Sequence, residues 1–378
     1  MIVYETIQEQ NFKIASFFNK IDVCVKASDV SEFVTIMCGE SWNLVPDNIL
    51  KMQKCVSPKS NVWPLLITTA AREQIIHDLA EKYDVIFQNK ENLQYFYVWH
   101  AIRIFLNSLI PAKINTHDWK KQIASSGLAP AAKSLSISWV NRADDMIIKP
   151  IQYSMKNSST GRLTVTDGPN FLTLPRQCRK ALRPKNKNSQ IVSIDFTSLE
   201  PRVALQLFGN MHEKGDIYEF LMEACEIKSR DVAKLATISA LYGASSSRLV
   251  QTLGNRKRAQ SVVSSVRNFF GVARLEEKLE IQANEVGVRN IFGRPLREAT
   301  RQKRVRLNHV IQSSSADLAN LLFSTLCSKC PFIKPLVVIH DALIVEVPNA
   351  KRQEFDQECS MLSYNGYSFP TKIEVLHN

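Results

Sequence analysis

The stretch that most restricts what this chain can become is Ile191 to Arg202, Ile-Val-Ser-Ile-Asp-Phe-Thr-Ser-Leu-Glu-Pro-Arg. Four residues suited to a buried strand run directly into Asp195, leaving a carboxylate at the strand's C-terminal end. That carboxylate needs a partner. The sequence offers one in Leu336 to Val347, Leu-Val-Val-Ile-His-Asp-Ala-Leu-Ile-Val-Glu-Val, where two apolar strands flank a His-Asp step. This reads as a β-hairpin with Asp341 at its bend. As neighbours in one sheet, Asp195 and Asp341 face each other and form a two-carboxylate site of the kind that binds pairs of Mg²⁺ ions handling phosphates. A lone Asp after an apolar strand is more often a turn residue or a helix cap, so the weight falls on the residues between them.

Net charge supports a polyanionic partner. Lys and Arg number 48 against 36 Asp and Glu, a formal +12 over 378 residues, which favours an anionic polymer over a cationic one without specifying it. Eight cysteines are scattered without a framework, and we read them as reduced thiols in a cytoplasmic protein. Cys327-Ser-Lys-Cys330 has metal-ligand spacing but lacks a second pair, so no metal is expected there. Met1 to Ile14 is polar and acidic, unlike a signal or transit peptide, and no apolar run has the length of a membrane span.

Residues 1 to about 145 say least. Short apolar runs at Ile21–Val25, Phe33–Met37 and Trp63–Ile67 suggest strands or buried segments, and helices are predicted near Ala70–Tyr83 and Leu93–Ile110. No carboxylate cluster of the metal-nuclease kind and no Gly-rich phosphate loop occurs there. From Lys149 to Arg183 the chain turns polar and basic, and Gly161 lets the backbone turn so that Arg162 projects a donor fork. Taken alone, that composition favours a solvated basic loop.

After the central strand, a helix is predicted over Val203–Phe208 and another opening at Ser229, a good N-cap. In the second, Arg230, Lys234, Ile238 and Tyr242 recur every four residues, ahead of Gly243. One face thus carries cations in its first turns and an aromatic ring in its last, a match for a triphosphate with a flat base at its far end. Helices continue through Glu285, and Phe292-Gly293-Arg294-Pro295 makes a turn. Arg297, Arg301, Lys303, Arg304 and Arg306 then enter a helix holding Asn308, Gln312, Ser313 to Ser315 and Asp317. Cations followed by amides and hydroxyls suit a nucleic-acid backbone and the shallow side of base pairs, though a solvated basic helix is the plain alternative.

In this order the pieces from Thr160 to Val347 resemble the polymerase module of the family A DNA polymerases, the bacterial DNA polymerase I family. Thr160-Gly161-Arg162-Leu163 is similar to the family's primer-contacting motif. Asp195-Phe-Thr-Ser-Leu-Glu200-Pro-Arg202 resembles motif A, and Arg230-x3-Lys234-x7-Tyr242-Gly243 the fingers helix. Asn308-x3-Gln312-x4-Asp317 resembles the template-primer helix, and His340-Asp341 motif C. Each motif is weak alone; several in the right order are specific.

The resemblance implies an α+β right-hand fold with an antiparallel palm sheet and helical fingers, preceded by a mixed or mainly helical N-terminal region. The implied division is 146–202 and 296–378 for the palm and 203–295 for the fingers. Residues 1–145 keep an unknown role, as a reduced thumb or a site for a processivity or replication partner. Asp195 and Asp341 would hold two Mg²⁺ ions, replaceable by Mn²⁺, with the Phe196 carbonyl completing one shell. Arg230 and Lys234 would grip the incoming triphosphate, with Lys234 also placed to protonate pyrophosphate. Tyr242 would close over the nascent pair, and Glu200 would fill the space of a ribose 2′-hydroxyl. Arg162, Arg304, Asn308, Gln312 and His340 would contact primer-template DNA.

Four positions depart from the family pattern: Ile238 stands where an aromatic is usual, Tyr218 where His is, Ala342 where a third carboxylate is, and Ser313 where Gly is. The expectation is dNTP polymerisation without proofreading. The rivals are a single-subunit RNA polymerase, against which Glu200 argues, and a non-catalytic DNA-binding scaffold.

Overall fold

The computed structural model describes residues 2–6, 11–16, 21–56, 66–141, 147–207, 215–243 and 247–377. The chain divides into two compact units, one of Met1–Arg103 with Phe292–Pro295, the other of Ile104–Ile291 with Leu296–Asn378.

The first unit opens with an antiparallel sheet of Ile2–Thr6, Asn11–Ser16 and Ile21–Lys26, followed by helices Ala27–Cys38, Asp47–Val56, Thr69–Phe87 and the start of Lys90–Asn107. Ile21–Val25 is a strand as expected. Phe33–Met37 is buried but helical, because Val30, Phe33, Val34 and Met37 recur at helical spacing and all turn inward. Trp63–Ile67 lies mostly outside the described residues. The core is aromatic: Phe33 stands 4.8 Å from Trp99 and 5.1 Å from Phe96, ring centre to ring centre, and Tyr83 and Phe87 close the cluster. Beside it, buried Arg103 binds Asp29 at 2.7 Å and Glu32 at 3.4 Å. The predicted turn at Phe292–Pro295 is stitched in by Arg294, which donates to the Tyr95 hydroxyl at 2.6 Å. Only glycine fits at 293, where φ is +92° and a Cβ would lie 2.5 Å from the Glu91 carbonyl oxygen.

The second unit is α+β. Its main sheet is antiparallel, in the order Lys334–Ile339, Ala342–Pro348, Ser189–Phe196, Thr371–His377. The central strand buries Ile191, Val192, Ile194 and Phe196, which accounts for its nearly continuous apolar sequence. The 27-residue helix Lys303–Lys329 packs onto it, with the Phe323 and Phe196 rings 5.1 Å apart. Helices Leu199–Leu207, Ile217–Ala224, Arg230–Tyr242, Ser247–Leu253, Arg256–Phe269 and Val272–Glu285 form a helical lobe around Leu221, Ala236, Ala240, Val266 and Phe270. Ser229 takes the N-cap position of Arg230–Tyr242, but its hydroxyl makes no capping bond; its carbonyl accepts from the Ala233 N–H instead. Gly243 ends that helix in the left-handed conformation at φ +60°. No helix among the described residues is long and apolar enough to cross a membrane.

Candidate active site

The hairpin bends where the sequence places it. Asp195 lies opposite Ala342 in the ladder, and the Phe196 N–H donates to the Asp341 carbonyl at 3.2 Å, so the two aspartates occupy adjacent, hydrogen-bonded strand ends. His340 takes φ +55° and Ser198 φ +54°, conformations a side chain adopts at a cost and keeps only where surrounding structure enforces them. The edge strand of the hairpin is pinned by Tyr153, whose hydroxyl donates to the Val338 carbonyl at 2.7 Å and accepts from its N–H at 3.1 Å.

Electrostatically, these strand ends are short of positive charge. Burial first, then repulsion from Asp341, push the Asp195 carboxyl up to about 6, against the pull of Arg179, Arg176 and Lys372. Burial also raises Asp341, with Glu200 adding to it and the Asp341 backbone N–H, His340 and Arg162 opposing. Two carboxylates held in this state favour a shared cation. Arg176 and Arg179, from the 3-10 turn Arg176–Ala181, and Lys372, from the edge strand, act on Asp195 although the sequence marked none of them as site residues. The two arginines signalled only a polar, basic loop, and Lys372 gave no signal.

Asp341 opens into a pocket of about 540 Å³ that Arg162, Phe196, Glu200, Tyr218, Arg230, Lys234, Gln312 and His340 also line. Glu200 is held from two sides: Arg162 donates to Oε1 at 2.5 Å, and the Tyr242 hydroxyl donates to Oε2. Gly161 at φ +72° makes the turn that sends Arg162 there. Burial, then the Glu200 charge, raise the Tyr242 phenol far above its ordinary value, so it stays a donor. Arg230 binds Asp216 at 2.5 Å and stacks on Tyr218, its guanidinium carbon 5.0 Å from the ring centre. Ile238 and Tyr242 do not line the pocket; Ile238 is partly buried and Tyr242 reaches the site through Glu200.

The long helix divides its polar residues in a way their spacing conceals. Gln312 faces the pocket; Arg304, exposed, and Asn308, half-buried, stand two turns and one turn before it without lining it. Arg306, read as part of a nucleic-acid-facing run, is buried instead. Its guanidinium donates to the Ala299 and Thr300 carbonyls at 2.9 and 3.1 Å and to Glu280 at 2.9 Å. Ser313, Ser314 and Asp317 are turned inward too: Asn290 donates to Ser313 at 3.1 Å and Asp317 at 2.7 Å, and the Ile291 N–H to Ser314 at 3.3 Å.

Neighbouring carboxylates at adjacent ends of an antiparallel sheet, one of them opening on a pocket that a cationic helix also lines, define a class of α+β site suited to bringing divalent cations and a phosphate chain together. The chain belongs to DNA polymerase family A, whose model matches residues 129–375. It is 26% identical over 264 aligned residues to a thermostable DNA polymerase I of Thermus filiformis, covering 59% of this chain and 31% of that protein. With a DNA polymerase of Mycobacterium phage L5 the identity is 27% over 225 residues, covering 54% of this chain and 35% of the phage protein. DNA polymerase I of Borreliella burgdorferi is 24% identical over 250 residues, covering 56% of this chain and 27% of the relative. The matched part thus spans about a third of each of these relatives.

Proposed function

We propose that this chain is a template-directed DNA polymerase that adds deoxynucleotides to a primer 3′ end by two-metal phosphoryl transfer. The observation that carries the reading is the Asp195/Asp341 pair at hydrogen-bonded strand ends, where the pocket reached by Asp341 is also lined by Arg230 and Lys234. Phosphoryl transfer needs cation ligands at the attacking oxygen and charge compensation along the leaving chain, and little covalent chemistry besides. The raised carboxyls fit a divalent cation, since one bound there would offset the burial that raises both and the Asp341 charge that adds to it at Asp195. Bound by Asp195, Asp341 and the Phe196 carbonyl, Mg²⁺ or Mn²⁺ would lower the pKa of the primer hydroxyl and offset charge on the leaving pyrophosphate.

The chain's own residues do the rest. Arg230 and Lys234 bind the triphosphate, and Lys234 is placed to give the pyrophosphate a proton. Glu200, braced by Arg162 and Tyr242, occupies the space of a 2′-hydroxyl. On nucleotide entry Tyr242 exchanges its bond to Glu200 for the nascent pair, while Ile238 and Tyr218 complete the nucleotide pocket. Arg162, Arg304, Asn308, Gln312 and His340 track the primer-template. In this reading the sheet is the palm, built from 146–202 and 296–378, and the helical lobe within 203–295 is the fingers. The enzyme works in the cytoplasm, and its residues 1–145 serve as a reduced thumb or receive a processivity partner and carry no proofreading exonuclease. The sequence of residues 1 to about 145, with no carboxylate cluster of the nuclease kind, supports that last point; shortening of a mismatched primer incubated with Mg²⁺ alone would overturn it.

The test is primer extension with dNTPs and with rNTPs, comparing the native chain with Asp341→Asn. Extension with dNTPs that the substitution abolishes is the expected result. Undiminished extension in the variant defeats the two-metal assignment. Preference for rNTPs favours an RNA polymerase, and template binding without extension a scaffold.

A further inference from the structure

Arg230 opens its helix, and its side chain is 47% exposed, so nothing in the sequence fixes where its guanidinium goes. The structure fixes it twice. Its Nε donates to Asp216 Oδ2 at 2.5 Å, and the face of the guanidinium rests on the Tyr218 ring. Asp216 is itself anchored. It caps helix Ile217–Ala224 by accepting from the Tyr218 N–H at 2.9 Å, and the carbonyl of the preceding Gly215 accepts from Arg202 at 2.5 Å. Arg202 is buried and also donates through Nε to the Thr197 carbonyl at 3.1 Å, two residues beyond Asp195. A continuous brace therefore runs from the end of the catalytic strand through Arg202, Gly215 and Asp216 to Arg230. Desolvation alone would raise the Asp216 carboxyl; the bonds from Arg230 and Tyr218, and the charges of Arg230 and Arg202, hold it below its ordinary value, so it stays an anion and an acceptor. Asp216 engages only Nε. The two terminal nitrogens of Arg230 make no hydrogen bond among the described residues, and Arg230 lines the pocket together with Lys234.

We infer that Asp216 is a positioning residue for nucleotide binding, holding Arg230 by its Nε so that the terminal guanidinium nitrogens are presented to the triphosphate. The inference rests on the polymerase reading above. A guanidinium fixed by one edge and one face loses little rotamer freedom when it binds a phosphate with the other edge, and that saving appears as affinity.

The test uses the full chain on a primer-template ended with a dideoxynucleotide, titrated with the complementary dNTP, alongside steady-state extension. Asp216→Ser keeps a good N-cap but is too short to reach Nε. It should weaken dNTP binding and raise KM about tenfold while kcat stays within about twofold. Asp216→Asn has one acceptor oxygen where the carboxylate uses two, so it can keep the cap or the bond to Nε but not both, and its affinity should fall between those of Asp216→Ser and wild type. In an Arg230→Met background, Asp216→Ser should add nothing, since the two residues act as one unit. Unchanged dNTP affinity in Asp216→Ser, or an equal loss in the Arg230→Met background, overturns the inference while leaving the polymerase reading intact. A wild-type chain that binds no dNTP overturns both.

Discussion

The two sides of the site, its sheet wall and its helical wall, handle charge in opposite ways. On the sheet side, Asp195 and Asp341 are partly buried near each other, and burial raises both, with the Asp341 charge adding to it at Asp195 and the Glu200 charge at Asp341. On the helical side, Arg230 is paired with Asp216, Tyr242 with Glu200, and Glu200 with Arg162, so that these side chains already have partners in the free protein. One wall holds a deficit that a cation would relieve; the other holds contacts that, in the proposed mechanism, an incoming nucleotide would exchange. The difference teaches where stability and activity should separate. Substitutions on the sheet wall should abolish activity and stabilise the empty protein, whereas those on the helical wall should weaken activity with little change in stability.

The largest expected effect is on activity. Asp195→Asn and Asp341→Asn should each lower single-turnover extension by roughly 10³-fold or more, since under the proposed mechanism each removes a cation ligand at the reacting oxygens. Arg230→Met and Lys234→Met should cost less, about 10²-fold in kcat/KM, because the remaining cation still meets the triphosphate. Equal losses on both walls would erase the distinction between them.

Stability should run the other way. Asp195 has a folded value of about 6 against an ordinary 3.8, so its charged form is disfavoured by folding. Below about pH 4 it is protonated in both states and contributes nothing; between about pH 4 and 6 the unfolded chain ionises it while the native state holds the proton, so stability falls, and it levels off once the native state ionises above about 6. Discounted for partial exposure, the penalty at pH 7 is about 1–3 kcal/mol. Without divalent ions, Asp195→Asn should therefore melt higher than wild type at pH 7 and equal to it at pH 4. Added Mg²⁺ should close that gap by stabilising wild type alone. A variant that melts lower at pH 7 would show that the carboxylate is well paired in the empty site. It would also remove the contrast between the walls.

How much of this the residues disclosed depended on whether a side chain's setting was local. The apolar strands around Asp195 and Asp341 announce a sheet because alternation and apolar runs are short-range signals, and the structure places the two where the motifs do. The four-residue spacing of Arg230 and Lys234 likewise identified a shared helix face. What stayed hidden was set by distant partners. Arg306 looks like its basic neighbours until Glu280 and the Ala299 and Thr300 carbonyls surround it. Ser313 and Asp317 look like a contact face until Asn290 occupies them. A helix buried on several sides carries polar residues that satisfy the protein itself, and spacing cannot separate these from residues that meet a ligand. Asp216 was hidden for a similar reason, its role lying in a partner fourteen positions away.

That distinction gives the gentlest prediction. Arg304 is exposed and Arg306 enclosed, on the same turn of the same helix. If only the exposed one meets a phosphate, Arg304→Ala should weaken primer-template binding similarly for all sequences and reduce the slope of log K against log salt by about one. Arg306→Met should leave that slope unchanged and lower the melting temperature instead, since it strands two carbonyls and Glu280 without their donor. A slope that responds to Arg306→Met and not to Arg304→Ala would mean that this end of the helix rearranges on DNA, and that the buried arginine of the free protein is a bound state waiting to open.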